Sequence, residues 1–136
     1  MNYVEKLNKS KSKPYLFSYR RCPYAMRARM ALVESKIEFD VYEISLRNKP
    51  QEMLSISPKG TVPVLRVNEL VLDESLEIMK WAYKNSKSKQ LNVLESDKQT
   101  TANKLIEIND GKFKDFLDCY KYFERYPNKS KQEHRE

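Results

Sequence analysis

A thiol followed by proline, where a strand-like run meets a helix-like run, is well placed for nucleophilic chemistry. Cys22 has that setting in Tyr19-Arg20-Arg21-Cys22-Pro23-Tyr24-Ala25. Pro23 suits the first helical position, because its missing N–H would have had no partner there. Cys22 is then the N-cap, with the free N–H groups of the first turn facing its sulfur. Those groups and the helix dipole favour negative charge, and Arg20, Arg21 and Arg27 add positive potential. The thiolate is the nucleophilic form of cysteine. A free cysteine that only packs is the common alternative. The Cys-Pro step at a strand-to-helix turn favours the reactive role.

Three further places have residue types suited to binding. Pro63 interrupts the strand-like run Thr61-Val62-Pro63-Val64-Leu65. A proline in a strand gives up a ladder donor and belongs at an edge or a bulge. The Val62 backbone is then left for another partner. Taken alone, a trans edge proline accounts for the run; beside Cys22 in a mixed sheet, a cis Val62–Pro63 bond fits better. Glu74-Ser75 stands just before another helical run. A helix N-terminus with a hydroxyl can hold a carboxylate, and Glu74 can take an ammonium. Plain N-capping is the simpler role. Lys49, in Leu46-Arg47-Asn48-Lys49-Pro50, is a surface lysine unless a second carboxylate needs it.

The elements that must position these residues follow from local patterns. Tyr15-Leu16-Phe17-Ser18-Tyr19 is aromatic and apolar, as a strand should be. Met26, Met30 and Val33, with Ala25, Ala28, Ala31 and Leu32 beside them, predict an amphipathic helix over Pro23 to Ser35 with arginines outward. Phe39 to Ile44 alternates as a second strand. Pro50 opens a short helix through Leu54, ended before Ser57-Pro58. Thr61 to Leu65 is a third strand, Asn68-Glu69 a turn, and Leu70-Val71-Leu72 a fourth strand. A helix then runs from Leu76 to about Tyr83, with Leu76, Met79 and Tyr83 on one face. The first two strands should be parallel through a right-handed crossover, and the last two should form a hairpin.

Composition bounds the rest. The chain has 136 residues, 40% of them hydrophobic, enough for one domain with a real core or one domain plus part of another. Met1 to Lys13 is polar, lysine-rich and expected to be flexible, with no apolar stretch like that of a secretory signal. No apolar run has the length of a membrane span. Two cysteines without such a signal point to a reducing cytoplasmic setting rather than a disulfide scaffold. The single histidine, His134, lies in a polar tail, and no metal-ligand spacing occurs, so no metal is expected. The net charge of +7 comes from lysines scattered among acids. Without aromatics interleaved on a basic face, it implies neither nucleic acid nor a membrane surface as partner.

Taken together, these pieces resemble the N-terminal thioredoxin-like domain of glutathione transferases, closest to the omega-like, cysteine-containing group and its bacterial relatives. The resemblance runs from about Tyr15 through Tyr83. Cys22-Pro23-Tyr24-Ala25 resembles that group's active-site motif and the glutaredoxin motif, with Ala25 where glutaredoxins often have a second cysteine. Thr61 to Leu65 resembles the cis-proline segment, and Asp73-Glu74-Ser75 the Glu-Ser clamp. Leu46 to Pro50 resembles the omega segment whose lysine meets the glycine carboxylate of glutathione. The resemblance implies an α/β fold: a four-stranded mixed sheet with helices on both faces, followed by a partial all-α domain. It implies glutathione as co-substrate. Cys22 would be catalytic, and Tyr24, Lys49, Val62, Pro63, Glu74 and Ser75 would bind glutathione. Glu74 and Ser75 would hold the γ-glutamyl end, Val62 the central cysteine, and Lys49 the glycine carboxylate. With no resolving cysteine, reaction would pass through a Cys22–glutathione mixed disulfide opened by a second glutathione.

The second half departs from that pattern. Residues 1–84 form the expected glutathione-binding domain, 85–95 a polar linker and 96–136 a partial helical domain with a polar tail. Ser96 to Asn109 predicts a helix with Ala102, Leu105, Ile106 and Ile108 inward. Gly111 marks a break. Lys112 to Tyr126 predicts another helix with a stripe of Phe113, Phe116, Leu117, Tyr120 and Phe123, expected to be core rather than substrate site, with Cys119 packing nearby. Pro127 to Glu136 is too polar to fold alone. A stripe without its partners predicts self-association, such as a homodimer through the helical half, docking or instability. A partial helical domain also favours thiol transfer with a small-molecule or protein disulfide over conjugation of bulky hydrophobic electrophiles. The rival readings are a non-catalytic interaction module resembling the stringent starvation protein, and a transferase fragment.

Overall fold

Residues 13–88 and 96–135 are described by the computed structural model. The segment expected to be flexible, 1–13, lies outside them apart from Lys13, as does linker stretch 89–95. Contacts divide the chain into two compact units, Met1–Asn92 and Val93–Glu136.

In the first unit, alternation along each strand gives the sheet two apolar faces. Its elements are β1 (Tyr15–Ser18), α1 (Pro23–Glu34), β2 (Asp40–Glu43), α2 (Gln51–Ile56), β3 (Val64–Val67), β4 (Leu70–Leu72) and α3 (Ser75–Lys84). The strand order is β2-β1-β3-β4. β1 is parallel to β2 and antiparallel to β3, and β3 pairs antiparallel with β4, as the hairpin requires. Leu16 and Leu65 point to one face, where they meet Ala28, Ala31 and Leu32 of α1 and Ile78 and Ala82 of α3. Phe17 and Val64 point to the other, with Ile44 and Met53 of α2. Tyr15 and Tyr42 stand edge-on to Phe17, with ring centroids 5.3 and 6.0 Å away.

The helices depart from three expectations. The buried face of α1 is Ala25, Ala28, Ala31 and Leu32, while Met26, Met30 and Val33 are exposed. Alanines let the helix lie close to the sheet, and the larger side chains would hold it off. The arginines are not all outward either: Arg27 and Arg29 are half-buried and hydrogen-bonded inside the unit. In α3 the buried residues are Ser75, Ile78 and Ala82, with Met79 and Tyr83 packed beside them and Leu76 outside the cluster.

The third strand begins at Val64, not Thr61. Pro63 has no N–H for a ladder, and the Val62–Pro63 bond is cis, as expected beside Cys22.

The second unit contains α4 (Ser96–Ile108), a wide turn at Asn109–Phe113, α5 (Lys114–Lys121) and a short 3-10 turn, Phe123–Arg125. Gly111 breaks the helical path with φ −99° and ψ −109°. The expected second helix is therefore shorter, starting two residues later and stopping at Lys121. Leu105 and Ile108 of α4, expected inward, are exposed; of the second stripe Phe113, Phe116 and Leu117 are exposed while Tyr120 and Phe123 are half-buried, so only part of it is covered as a core would be. The tail does not stand apart from the helix. Lys131 Nζ lies 5.5 Å over the Tyr120 ring and 5.7 Å from the Phe123 ring. Cys119 is half-buried and borders an open hollow with Phe116 and Tyr126.

Candidate functional site

The chain leaves β1 at Ser18 and turns into α1 through Tyr19 to Arg21. The Cys22 N–H donates to the Tyr19 carbonyl at 3.1 Å, which closes that turn. Cys22 is the N-cap of α1, with extended backbone (φ −79°, ψ 118°), and Pro23 opens the helix. The cap position therefore follows directly from the Cys-Pro step. Arg29, two turns along the same helix, reaches back beneath this turn. Its guanidinium donates to Ser18 Oγ at 2.6 Å, to the Tyr19 carbonyl at 3.4 Å and to the Arg20 carbonyl at 3.1 Å. On the other side, the Arg20 N–H donates to Glu43 Oε1 at 2.6 Å. Two charged side chains thus fix the backbone that carries the thiol. The Arg20 and Arg21 side chains themselves are exposed.

Cys22 Sγ lies 3.7 Å from the Val62 carbonyl oxygen, a weak S–H donor contact between residues 40 positions apart. Pro63 is buried directly after it. Gly60 precedes this segment with φ +66°, a conformation that suits glycine. A Cβ there would lie 3.1 Å from Leu54 Cδ2 and 3.6 Å from Lys49 Nζ. Lys49 thus stands beside the Gly60–Val62 segment. Its ammonium makes no hydrogen bond or ion pair among the described residues.

Ser75 is the first residue of α3 and Glu74 its N-cap, and the Glu74 side chain does not cap the helix. The buried Ser75 hydroxyl instead accepts from Arg27 Nε–H at 2.9 Å. Arg27 also sits 5.1 Å over the Tyr24 ring, one turn earlier on α1. Arg27, counted from the sequence as background charge near the thiol, is therefore a tie between α1 and Ser75. Glu74 is paired with Lys59 at 2.5 Å, and Lys59 also lies 3.6 Å from Asp73 Oδ1. The Glu74 carboxylate beside it holds Lys59 above the usual lysine range, chiefly through their hydrogen bond. Asp73 in turn accepts from Ser57 Oγ at 2.9 Å. Lys59 and Arg27 are the residues that sequence reasoning missed. The only signal for Lys59 was its place next to Gly60, just before the Val62–Pro63 segment.

Cys22 and Val62 are therefore brought together, as are Tyr24 and Ser75 through Arg27, while Lys49 and Glu74 flank the segment from Ser57 to Val62. Among the described residues, no cluster of three or more His, Cys, Asp or Glu side chains could hold a metal ion. No helix among them is long and apolar enough to cross a membrane.

The family model for the N-terminal domain of glutathione S-transferases matches residues 16–90, more than half of the chain. The chain belongs to the glutathione transferase family. Omega-class transferases are among the relatives it matches. It is 39% identical over 57 residues to human glutathione S-transferase omega-2, which covers 42% of this chain and 24% of that protein. It is 39% identical over 71 residues to Arabidopsis thaliana glutathione S-transferase U28, covering 52% of this chain and 32% of the relative. The structure of the Trametes versicolor transferase Omega 1C matches with a TM-score of 0.69 at 27% identity, over 80% of this chain and 52% of that one. The transferase chain thus spans about a quarter to a third of the curated relatives named here. The four-stranded mixed sheet followed by a helical region is the thioredoxin-like architecture that the motifs implied.

Proposed function

We propose that this transferase uses glutathione for thiol transfer, with Cys22 as the nucleophile. The observation that carries the reading is the placement of Cys22 Sγ at the N-cap of α1, 3.7 Å from the Val62 carbonyl. A glutathione whose cysteine backbone pairs with Val62 in strand fashion would bring its sulfur to that position. Lys49 would meet the glycine carboxylate. Ser75 and the first amides of α3 would meet the γ-glutamyl carboxylate, and Glu74 its ammonium. Tyr24 would act through Arg27, and Pro63 by fixing the Val62 backbone.

In the reaction, the Cys22 thiolate attacks the glutathionyl sulfur of a mixed disulfide. The other thiol leaves and takes a proton, and Cys22–S–S–glutathione forms. A second glutathione thiolate attacks the glutathionyl sulfur, releasing oxidised glutathione and restoring the Cys22 thiolate. Ala25 is buried where a resolving cysteine would stand, and Cys119 belongs to the other unit. A small-molecule or protein disulfide is the second substrate, in a cytoplasm kept reducing by glutathione.

Intact-mass measurement after incubation with oxidised glutathione tests this. One glutathionyl adduct is expected on the wild-type chain, mapping to Cys22 and absent from Cys22→Ser. No adduct, under conditions that label a control glutaredoxin, would falsify the reading. No specific observation favours the non-catalytic module.

A further inference from the structure

Glu74 is the carboxylate that the reading above gives to the γ-glutamyl ammonium, and in the structure a different ammonium holds it. Lys59 Nζ is paired with Glu74 Oε1 and lies near Asp73 Oδ1. The Lys59 head group is chemically equivalent to the group the ligand would bring: a primary ammonium. Its anchor is defined. The turn Ser57-Pro58-Lys59-Gly60 is closed by the Gly60 N–H donating to the Ser57 carbonyl at 3.0 Å. Buried Ser57 is in turn tied through its hydroxyl to Asp73, the residue before Glu74. The segments carrying Lys59 and Glu74 are therefore held together, and their pairing does not depend on chance approach of two surface chains. Even so, Glu74 remains 68% exposed at its side chain, so an incoming group can reach it.

We propose that Lys59 is a specificity-determining residue that occupies the ammonium subsite at Glu74 until a ligand ammonium displaces it. The inference rests on Glu74 being the γ-glutamyl contact. A zwitterionic γ-glutamyl end brings no net charge, so the loss of Lys59 acts mainly through the freed carboxylate. Lys59 thereby lowers affinity for ligands with a free α-ammonium relative to ligands in which that group is blocked. Exposed ion pairs are weak, so the effect is an adjustment of about two- to five-fold.

The test measures binding of S-methylglutathione and N-acetyl-S-methylglutathione by calorimetry; neither can exchange disulfides with Cys22. The proteins are wild type, Lys59→Gln, Lys59→Arg, Glu74→Gln and the Lys59→Gln/Glu74→Gln double variant. Lys59→Gln is expected to bind the free-amine ligand about two- to five-fold more tightly and the acetylated ligand no more tightly than wild type. Lys59→Arg, which keeps the charge, should bind like wild type. The gain should vanish in the double variant. If Glu74→Gln weakens only the free-amine ligand while Lys59→Gln leaves it unchanged or weakens it, the role of Lys59 is wrong and the Glu74 contact stands. If Glu74→Gln affects neither ligand, or wild type binds neither, the Glu74 contact fails and the Lys59 proposal falls with it.

Discussion

The sheet unit and the helical unit solve the burial problem in opposite ways. The first buries Phe17, Leu16, Leu32, Met53, Leu65 and Ile78 completely, on two faces of one sheet. In the second, no described side chain is fully buried, and Phe116 is 69% exposed. Each buried large apolar side chain stabilises its unit by roughly 1.5–3 kcal/mol relative to exposure. The helical unit lacks that contribution and relies on local ties: the Lys114–Asp118 ion pair, the Lys131 ammonium over two rings, and backbone bonds within its turns. Helices supported only in this way are marginal in water. The lesson is that the sheet unit covers its apolar residues on both faces of one sheet, whereas Phe113, Phe116 and Leu117 of the helical unit are exposed.

The strongest way to sharpen this contrast is at the two cysteines. Cys22→Ser should abolish glutathione-dependent reduction of a model disulfide, and Cys119→Ser should retain it near the wild-type rate. Comparable losses in both would place chemistry in both units. Next comes packing. Phe17→Ala should destabilise the sheet unit by about 3–5 kcal/mol, read as the midpoint of urea unfolding followed by Trp81 fluorescence. Phe116→Ala should change the unfolding free energy of the helical unit, followed by far-UV circular dichroism, by less than about 0.5 kcal/mol. Similar shifts would mean that the helical stripe is a core after all.

A smaller effect is expected at Arg27→Met, which removes a half-buried charged hydrogen bond between α1 and α3. A loss of about 1–2 kcal/mol is expected in the unfolding followed by Trp81, with weaker glutathione binding because Ser75 loses its partner. The smallest effects are two titrations at opposite ends of the pH scale. Lys59 is raised by its bond to Glu74, so its contribution is full below about pH 10.4 and fades as pH rises through the raised value. Glu133 is lowered, chiefly by the Ser130 N–H, so its contribution is present above about pH 4.3 and fades as pH falls through the lowered value. Side-chain NMR titration should find the first shift upward and the second downward. Either moving the other way would break the assignment of its partner.

Much of the sheet unit was legible because its signals are local. Leu16 and Phe17 alternate, Pro23 marks a helix start, and Val62-Pro63 and Glu74-Ser75 stand at element boundaries. The buried face of α1 was misread because methionine and valine outweigh alanine in any hydrophobic count. The sheet selects for closeness of approach, which favours Ala25, Ala28 and Ala31. The partners of Arg27 and Lys59 were not legible for a different reason. Ser75 is 48 positions from Arg27 and Glu74 is 15 from Lys59, so only the folded arrangement of α1, α3 and the Gly60 turn brings them together. In the helical unit, periodicity correctly announced a stripe, but periodicity carries no information about whether anything covers it.

Arg29 gives the site a property that no count of its contacts conveys. Its guanidinium holds the hydroxyl of Ser18 and the carbonyls of Tyr19 and Arg20, at the end of β1 and in the turn that delivers Cys22. The thiol's aim is thus set from inside the helix that the thiol itself begins, like a lever whose fulcrum lies two turns behind its tip. A change at residue 29 would therefore loosen the turn that carries Cys22 without touching Cys22 or Pro23 themselves.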